Sequence, residues 1–129
     1  MRRQLRRRGG EAGSGHDYVD GGQGNDEIDG GAGRDTHYGG EDNDTVECGG
    51  GNDRIFGEEG DDILFGGAGA DRLFGGSDDD TLEGGGGNDR LDAGSSADKL
   101  EGGAGDDEFL FRPPGVKSIF FALNAEFRR

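Results

Sequence analysis

The chain has 129 residues, 31 of which are glycine, and only 28% of its residues are hydrophobic. Because so little apolar surface cannot offset the entropy lost on folding, this composition alone is typical of a disordered acidic chain. The basic start of the chain could favour nucleic acid, but the net charge of −22 on residues 12–110 opposes that partner, so we expect no binding of nucleic acid. A single cysteine excludes an internal disulfide framework, and no stretch is apolar enough to form a transmembrane segment.

The chain begins with a basic arm, residues 1–11, which carries a net charge of +4. No apolar core follows its arginines, so the arm lacks the pattern of a cleavable signal peptide. We expect this arm to be a flexible terminus.

Residues 12–110 consist of eleven copies of a nine-residue sequence, such as Gly-Gly-Gln-Gly-Asn-Asp-Glu-Ile-Asp at 21–29. Position 6 is aspartate in every copy: Asp17, Asp26, Asp35, Asp44, Asp53, Asp62, Asp71, Asp80, Asp89, Asp98 and Asp107. Position 8 is apolar in every copy except one: Val19, Ile28, His37, Val46, Ile55, Leu64, Leu73, Leu82, Leu91, Leu100 and Phe109. A carboxylate and a hydrophobe in fixed phase predict a solenoid organised by calcium.

The repeats determine both the turns and the strands of this solenoid. Glycine at positions 1, 2 and 4 permits positive φ and tight turns, and positions 7 to 9 form a short strand with position 8 facing inward. Two copies make one coil, so eleven copies predict an all-β fold with five and a half coils of two parallel sheets. The expected core is the position-8 column alone, which is too thin to stabilise the fold by itself.

Cations supply the remaining stability in this prediction. The repeats carry 27 acidic and five basic residues, a net charge of −22 that repels itself unless counterions bind. Odd copies stack on one edge and even copies on the other, leaving nine gaps between turns for up to nine Ca²⁺. Calcium takes six to eight oxygen ligands in flexible geometry, whereas zinc prefers thiolate or imidazole and magnesium requires a stricter octahedron.

The eleven repeats in phase resemble the haemolysin-type calcium-binding repeats of RTX proteins. This resemblance implies a right-handed parallel β-roll, with calcium bound between turns by carbonyls and by all eleven position-6 aspartates. It also implies an extracellular, secreted module that leaves the cell unfolded and folds outside. The tail, residues 111–129, does not obviously match the export signal expected for such proteins.

Several copies depart from the motif. Position 4 is Asp42, Asp78 or Ser96 in three copies, and position 2 is Glu58 in another. A residue other than glycine at positive φ costs about 1 kcal/mol, so we expect weaker sites beside Glu58 and Ser96. Position 1 is also substituted in three copies, by Ala12, Cys48 and Ala93. The turns with the full motif, which we expect to be strongest, begin at Gly21, Gly30, Gly66, Gly84 and Gly102.

Two single residues have simple interpretations. His37 interrupts the apolar column, and we interpret it as a tolerated polar residue near the N-terminal end rather than a metal ligand. Cys48 is interpreted as a small substitute for glycine, with an intermolecular disulfide as the alternative.

No catalytic motif stands out. The chain contains no G-x-G-x-x-G, and neither Asp42 nor Asp78 begins a complete EF-hand loop. The two histidines do not form H-E-x-x-H, which excludes a zinc protease of that type. Because no non-repetitive domain remains to shape an active site, we expect the chain not to be an enzyme.

The outward positions and the tail suggest further surfaces. Phe56 and Phe74 should stack on one outer face beside a column of Arg54, Arg72 and Arg90, with Phe65 on the opposite face. We expect nearby acids to neutralise the arginines, and the apolar tail to cap either this aromatic face or the last coil.

Three alternatives to a calcium-folded binding module remain open. The chain could be the accessory fragment of a larger secreted toxin or enzyme, such as a haemolysin, protease, lipase or alginate epimerase. An ice-binding roll requires an outward ladder of threonines, of which the chain has few. The last alternative is a disordered linker that binds no metal.

Overall fold

The computed structural model describes residues 14–110 and the backbone of residues 119–121 and 125–128. The predicted basic arm and Ala12 lie outside these residues. The described part consists of short strands without a helix, and so includes no helix that could span a membrane. The strands are β1 Tyr18–Gly22, β2 Glu27–Asp29, β3 Thr36–Gly40, β4 Thr45–Glu47, β5 Arg54–Glu58, β6 Ile63–Ala68, β7 Arg72–Gly76, β8 Thr81–Gly86, β9 Arg90–Gly94, β10 Lys99–Ala104, β11 Asp107–Leu110, β12 Ile119–Phe121 and β13 Ala125–Arg128.

These strands form two parallel sheets that alternate along the chain. The odd-numbered strands form sheet A in the order β1-β3-β5-β7-β9-β11-β13, and the even-numbered strands form sheet B in the order β12-β10-β8-β6-β4-β2. Val19 pairs with His37 and His37 with Ile55, a step of 18 residues at each pairing. Two repeats therefore make one coil, which confirms the predicted β-solenoid of about five coils.

The inward-facing core is wider than the sequence predicts. Most strands continue past position 9 to position 2 or 3, as in β1 and β6, whereas only β2 and β4 keep three residues among the repeats. Because side chains alternate along a strand, position 1 faces inward together with position 8. Cys48 and Ala93, both at position 1, are completely buried in the core cluster. The expectation of a core made by position 8 alone was therefore wrong.

The glycines serve two different purposes. Positions 2 and 4 have positive φ in every described copy, including Asp42, Glu58, Asp78 and Ser96, as predicted. Position 1 does not, so the prediction of positive φ there was wrong. Glycine at position 1 instead provides space: a Cβ on Gly21 would lie 2.5 Å from the carbonyl oxygen of Gly39 in the next coil.

The outer face of sheet A carries a row of stacked rings. Phe56 and Phe74 stack as predicted, with ring centroids 4.8 Å apart and planes 5° from parallel. Tyr38 extends the stack at the same spacing, and Tyr18 follows at 5.5 Å with a tilted ring. We call Tyr38, Phe56 and Phe74 the aromatic row. Tyr38 was not predicted as part of this stack, although it occupies position 9 of an odd copy, as Phe56 and Phe74 do.

The described segments of the tail extend both sheets by one strand. Leu100 of β10 pairs with Phe120 of β12, and Phe109 of β11 pairs with Phe127 of β13. Ala125 is the register partner of Asp107, so the ladder of position-6 aspartates ends at Asp107. These strands continue the last coil, and β9 and β11 separate β13 from the Phe74 strand. The predicted apolar side chains of the tail lie outside the described residues.

Removal of the tail should expose the end of the roll. Deleting residues 115–129 removes β12 and β13 and leaves the edges of β10 and β11 open. In the presence of calcium, we expect the roll without these residues to bind more of a dye specific for exposed apolar surface, and to unfold at a lower temperature. Unchanged dye fluorescence and melting temperature would contradict a capping role for the tail.

Candidate metal centre

The eleven position-6 aspartates form two buried ladders, one on each edge of the roll. Their exposed fractions are at most 4%, although each follows a turn at the surface of a thin solenoid. Six belong to odd copies and line the odd edge, and five belong to even copies and line the even edge. The 18-residue register thus brings the predicted site residues together in columns rather than in one cluster.

Each ladder is held by hydrogen bonds between successive coils. The backbone N–H of Asp53 donates to Oδ1 of Asp71 at 2.8 Å, and the N–H of Asp62 donates to Oδ1 of Asp80 at 2.9 Å. Nine such bonds join the aspartates, five on the odd edge and four on the even edge. Each of the nine gaps between stacked turns is therefore spanned by one carboxylate.

The second oxygen of these carboxylates is buried without a hydrogen-bond partner. This holds, within the described residues, for Oδ2 of Asp35, Asp44, Asp53, Asp62, Asp71, Asp80, Asp89, Asp98 and Asp107. An ionised carboxylate buried in this way is costly unless a cation or a proton neutralises it. The carboxylate geometry therefore leaves one oxygen of each aspartate available to a cation.

Main-chain carbonyl oxygens lie close to the Oδ2 atoms of the position-6 aspartates. At Gly75, the place where a Cβ would stand is 2.5 Å from Oδ2 of Asp80 and 2.6 Å from the carbonyl oxygen of Ala93 in the next coil. The equivalent place at Gly84 is 2.5 Å from Oδ2 of Asp89 and 2.8 Å from the carbonyl oxygen of Gly102. Residues 14–110 contain no group of three acidic, histidine or cysteine side chains placed to hold one ion. Carbonyl groups must therefore complete any coordination shell, which suits a hard cation such as Ca²⁺.

Burial raises the pKa of these carboxyls. The hydrogen bond from the N–H of the preceding aspartate in the same ladder lowers the pKa, but by less than burial raises it. The largest rise is that of Asp80, whose pKa reaches about 8 because the repulsion of Asp62 and Asp98 adds to burial. The pKa is raised to about 7 in Asp53, Asp62 and Asp89, and to about 6 in Asp44, Asp71 and Asp98. Protons and cations thus compete for the same buried oxygens.

The substituted turns differ in how they offset the strain of positive φ. Oδ2 of Asp42 accepts a hydrogen bond from the N–H of Gly24 at 3.0 Å, and Oδ2 of Asp78 accepts one from Gly60 at 3.1 Å. Among the described residues, the side chain of Glu58 accepts no such bond, and its pKa is raised by burial and by the nearby carboxylates of Asp20 and Glu59. The Glu58 turn is therefore strained and repelled without compensation.

Replacing this residue should stabilise the roll. We expect Glu58→Gly to raise the free energy of unfolding in calcium by about 1 kcal/mol, because glycine adopts positive φ without a steric penalty. Asp42→Gly is the matched control and should change stability less, since it also removes a hydrogen bond between coils. Urea unfolding of both variants measures the difference. A larger gain for Asp42→Gly would contradict the assignment of strain to Glu58.

A second ladder at position 5 was missed by the sequence analysis. The N–H of Asn43 donates to Oδ1 of Asn25, and the N–H groups of Asp61 and Asp79 donate to Oδ1 of the position-5 residue one coil earlier. These bonds run in the opposite direction to those of the position-6 ladder. The sequence does contain a signal for this ladder, because position 5 is asparagine or aspartate in seven of the eleven copies.

His37 and Cys48 both lie in the core. His37 is completely buried, its ring nitrogens have no hydrogen-bond partner in the described structure, and burial lowers its pKa. Gly30 gives the ring its space, because a Cβ there would be 2.6 Å from Nε2. His37 is thus a neutral core residue. Its interpretation as a tolerated polar residue rather than a metal ligand stays a prediction. Cys48 is a buried free thiol, as expected for a small substitute.

Fold and site together define a class of protein: a parallel β-solenoid whose two edges are ladders of buried carboxylates. The RTX calcium-binding nonapeptide repeat family matches four overlapping segments, residues 11–46, 38–73, 49–82 and 74–109. These segments span most of the chain, so the chain belongs to this family of calcium-binding repeats. No curated protein and no solved structure matches the chain. The family resemblance of the repeats is therefore confirmed.

Proposed function

We propose that this chain is a calcium-folded β-roll, in which all eleven position-6 aspartates bind Ca²⁺ together with turn carbonyls. The observation that carries the proposal is the column of buried Oδ2 atoms without a hydrogen-bond partner. Bound calcium would supply positive charge and accept six to eight oxygen ligands from adjacent turns. The Oδ1 atoms hold successive coils in register while the Oδ2 atoms remain available for the metal.

Charge explains why folding and binding are coupled. The repeats have a net charge of −22, and nine ions in the nine gaps would bring +18. In the absence of cations, unpaired carboxylates buried in the ladders oppose the coiled state. Because the gaps between stacked turns exist only in the folded state, calcium binding stabilises the folded state and not the unfolded state. The turns beginning at Gly21, Gly30, Gly66, Gly84 and Gly102 keep the full motif and should bind most strongly.

The biological setting follows from the affinity expected of such sites. Extracellular calcium modules bind in the range of about 10⁻⁴ to 10⁻³ M, far above calcium concentrations inside cells. We propose that the chain stays unfolded in the cell, folds outside, and acts as a binding and folding module rather than an enzyme. It could serve in this way as the accessory roll of a larger secreted toxin or enzyme.

Calorimetric titration with calcium, followed in parallel by far-ultraviolet circular dichroism, tests this function. We expect cooperative uptake of several ions, up to about nine, with a change from coil to β structure. Magnesium at the same concentration is the control and should induce little structure, because it keeps its water and needs stricter geometry. No binding and an unchanged spectrum at millimolar calcium would overturn the proposal in favour of a disordered linker.

A further inference from the structure

A row of arginines runs across the outer face of sheet A. Arg54, Arg72 and Arg90 occupy position 7 of β5, β7 and β9, and they pair directly in register. All three side chains are exposed, and the strand spacing places them about 4.8 Å apart along the axis of the roll. We call these three residues the arginine row. The position-7 column of sheet B contains no such row, since its members are Glu27, Thr45, Ile63, Thr81 and Lys99.

Within the described residues, only Arg90, at one end of the arginine row, forms an ion pair. Nε of Arg90 lies 3.1 Å from Oε1 of Glu108 on the neighbouring strand. Within residues 14–110, Arg54 and Arg72 have no carboxylate within ion-pair distance, although Asp53, Asp71 and Asp89 line the same groove. Like charges opposite each other on adjacent strands are destabilising. The row therefore costs stability, and its guanidinium groups remain available to an external anion.

The arginine row forms one bank of a groove along the odd edge. The groove has a volume of about 540 Å³, and the opposite bank consists of turn-tip residues including Asn52, Ala70 and Asn88. Asp53, Asp71 and Asp89 contribute to its floor. A groove that follows the coil axis and repeats one cation per coil suits a linear ligand with regularly spaced negative groups.

Calcium decides the sign of the charge in this groove. Its lining includes four arginines, because Arg34 at position 5 of a turn also lines it, and five carboxylates, those of Asp53, Asp71, Asp89, Asp106 and Glu108. Three of those carboxylates belong to the position-6 ladder and would be neutralised by calcium under the proposed function. Each ion brings two positive charges to the odd edge. The net charge of the groove thus changes from slightly negative to positive when calcium binds to the roll.

The aromatic row distinguishes between linear anions. Its rings are nearly parallel and stacked on one another, so the ring faces between neighbouring members are covered. Binding of single-stranded nucleic acid depends on bases stacking on exposed ring faces, and the stack covers both faces of Phe56. Ring edges carry partial positive charge and favour anionic oxygens.

We propose that this groove binds an acidic polysaccharide, a sugar chain with carboxylate or sulfate groups along its length, in a calcium-dependent manner. The inference rests on the proposed calcium-folded state. The guanidinium groups of Arg54 and Arg72 would contact successive acidic groups of the sugar chain, whose monomers advance by about one strand spacing. Recognition is therefore by charge and spacing rather than by stacking on sugar rings.

Fluorescence anisotropy with labelled oligosaccharides tests the proposal on the calcium-loaded chain. The probes are a short oligogalacturonate for carboxylates, a sulfated dextran oligomer for sulfates, neutral dextran and single-stranded DNA. We expect at least one acidic sugar to bind in calcium and to weaken as salt is raised. Arg72→Gln should reduce its affinity about threefold, and the triple change of the arginine row to glutamine roughly tenfold or more. Lys99→Gln is the matched control on sheet B and should leave the affinity unchanged.

The outcomes separate this inference from the proposed function, because circular dichroism reports calcium folding before any sugar is added. A folded roll that binds no acidic sugar, or binds neutral dextran equally well, overturns the polysaccharide proposal alone. Equal affinity of the triple variant and the parent would mean that calcium bridges the anion, which also overturns it. Tighter binding of DNA would replace the polysaccharide with nucleic acid. Failure of calcium to fold the chain overturns both proposals.

Discussion

Asp71→Asn should sharply reduce calcium binding while leaving the coil geometry intact. Asp71 lies near the middle of the odd ladder, and its Oδ1 accepts the N–H of Asp53 at 2.8 Å. An asparagine Oδ1 can accept the same bond, so the register between coils is preserved. The substituted amide, however, lacks the negative charge and the Oδ2 oxygen that calcium requires.

The expected change is large because Asp71 borders two gaps. We expect affinity in these gaps to fall at least about tenfold and the number of bound ions to fall by as many as two. The midpoint of the calcium-induced folding transition should move to higher calcium. Calorimetry and circular dichroism measure these quantities on the same sample.

Glu83→Gln is the control for this experiment. It removes the same charge from position 9 of β8, on the partly exposed outer face of sheet B. A calcium midpoint shifted equally in both variants would show that net charge alone matters. That result would remove position-6 aspartate from the ligand set.

Acid should promote folding of the calcium-free chain. The pKa of Asp80 is raised to about 8 and those of Asp53, Asp62 and Asp89 to about 7, whereas an aspartate in an unfolded chain titrates near 3.9. A carboxyl with a raised folded-state pKa stabilises the folded chain fully below the unfolded pKa. That stabilisation is lost as the pH rises through the folded pKa.

The pH window follows from these values. When a chelator has removed calcium, we expect β structure to increase as the pH falls from 8 through 6 towards 4. Protons then neutralise the buried carboxylates of the position-6 ladder. His37 acts in the opposite direction, because its lowered pKa means that protonation in acid favours the unfolded chain. The buried carboxyls outnumber this one histidine, so their effect should dominate.

Two comparisons test the pH prediction. In excess calcium the trend should reverse, since protons displace the metal from its carboxylate ligands. High salt at pH 8 should not reproduce the effect of acid, because salt screens exposed charges more than buried ones. A calcium-free chain that remains a coil down to pH 4 would contradict the raised pKa values.

The repeat architecture was readable from the sequence because its causes are local. Aspartate at position 6 and a hydrophobe at position 8 recur in phase, and this phase alone predicted two parallel sheets with one coil per 18 residues. Positive φ at positions 2 and 4 followed from glycine in the same way. The eleven candidate ligands could be named because each is defined by its place within nine residues.

The contents of the core and the hydrogen bonds of the site were decided by tertiary structure. Position 1 faces inward only because the strands continue beyond position 9, and Gly21 is needed because a carbonyl of the next coil lies beside it. The position-5 ladder and the unpaired charge of Arg54 and Arg72 likewise depend on residues 18 positions away.

The tail shows most clearly which features the sequence predicts and which depend on tertiary structure. Residues 111–129 lack the repeat motif, so the sequence predicted a cap without indicating its form. In the structure, β12 and β13 continue the two sheets by backbone pairing, with Ala125 in the register of Asp107. Backbone groups are the same in every residue, so a strand can add to an open sheet edge without a side-chain motif. The sequence by itself determined the period and its candidate ligands, whereas stacking of the coils determined which atoms of different repeats meet.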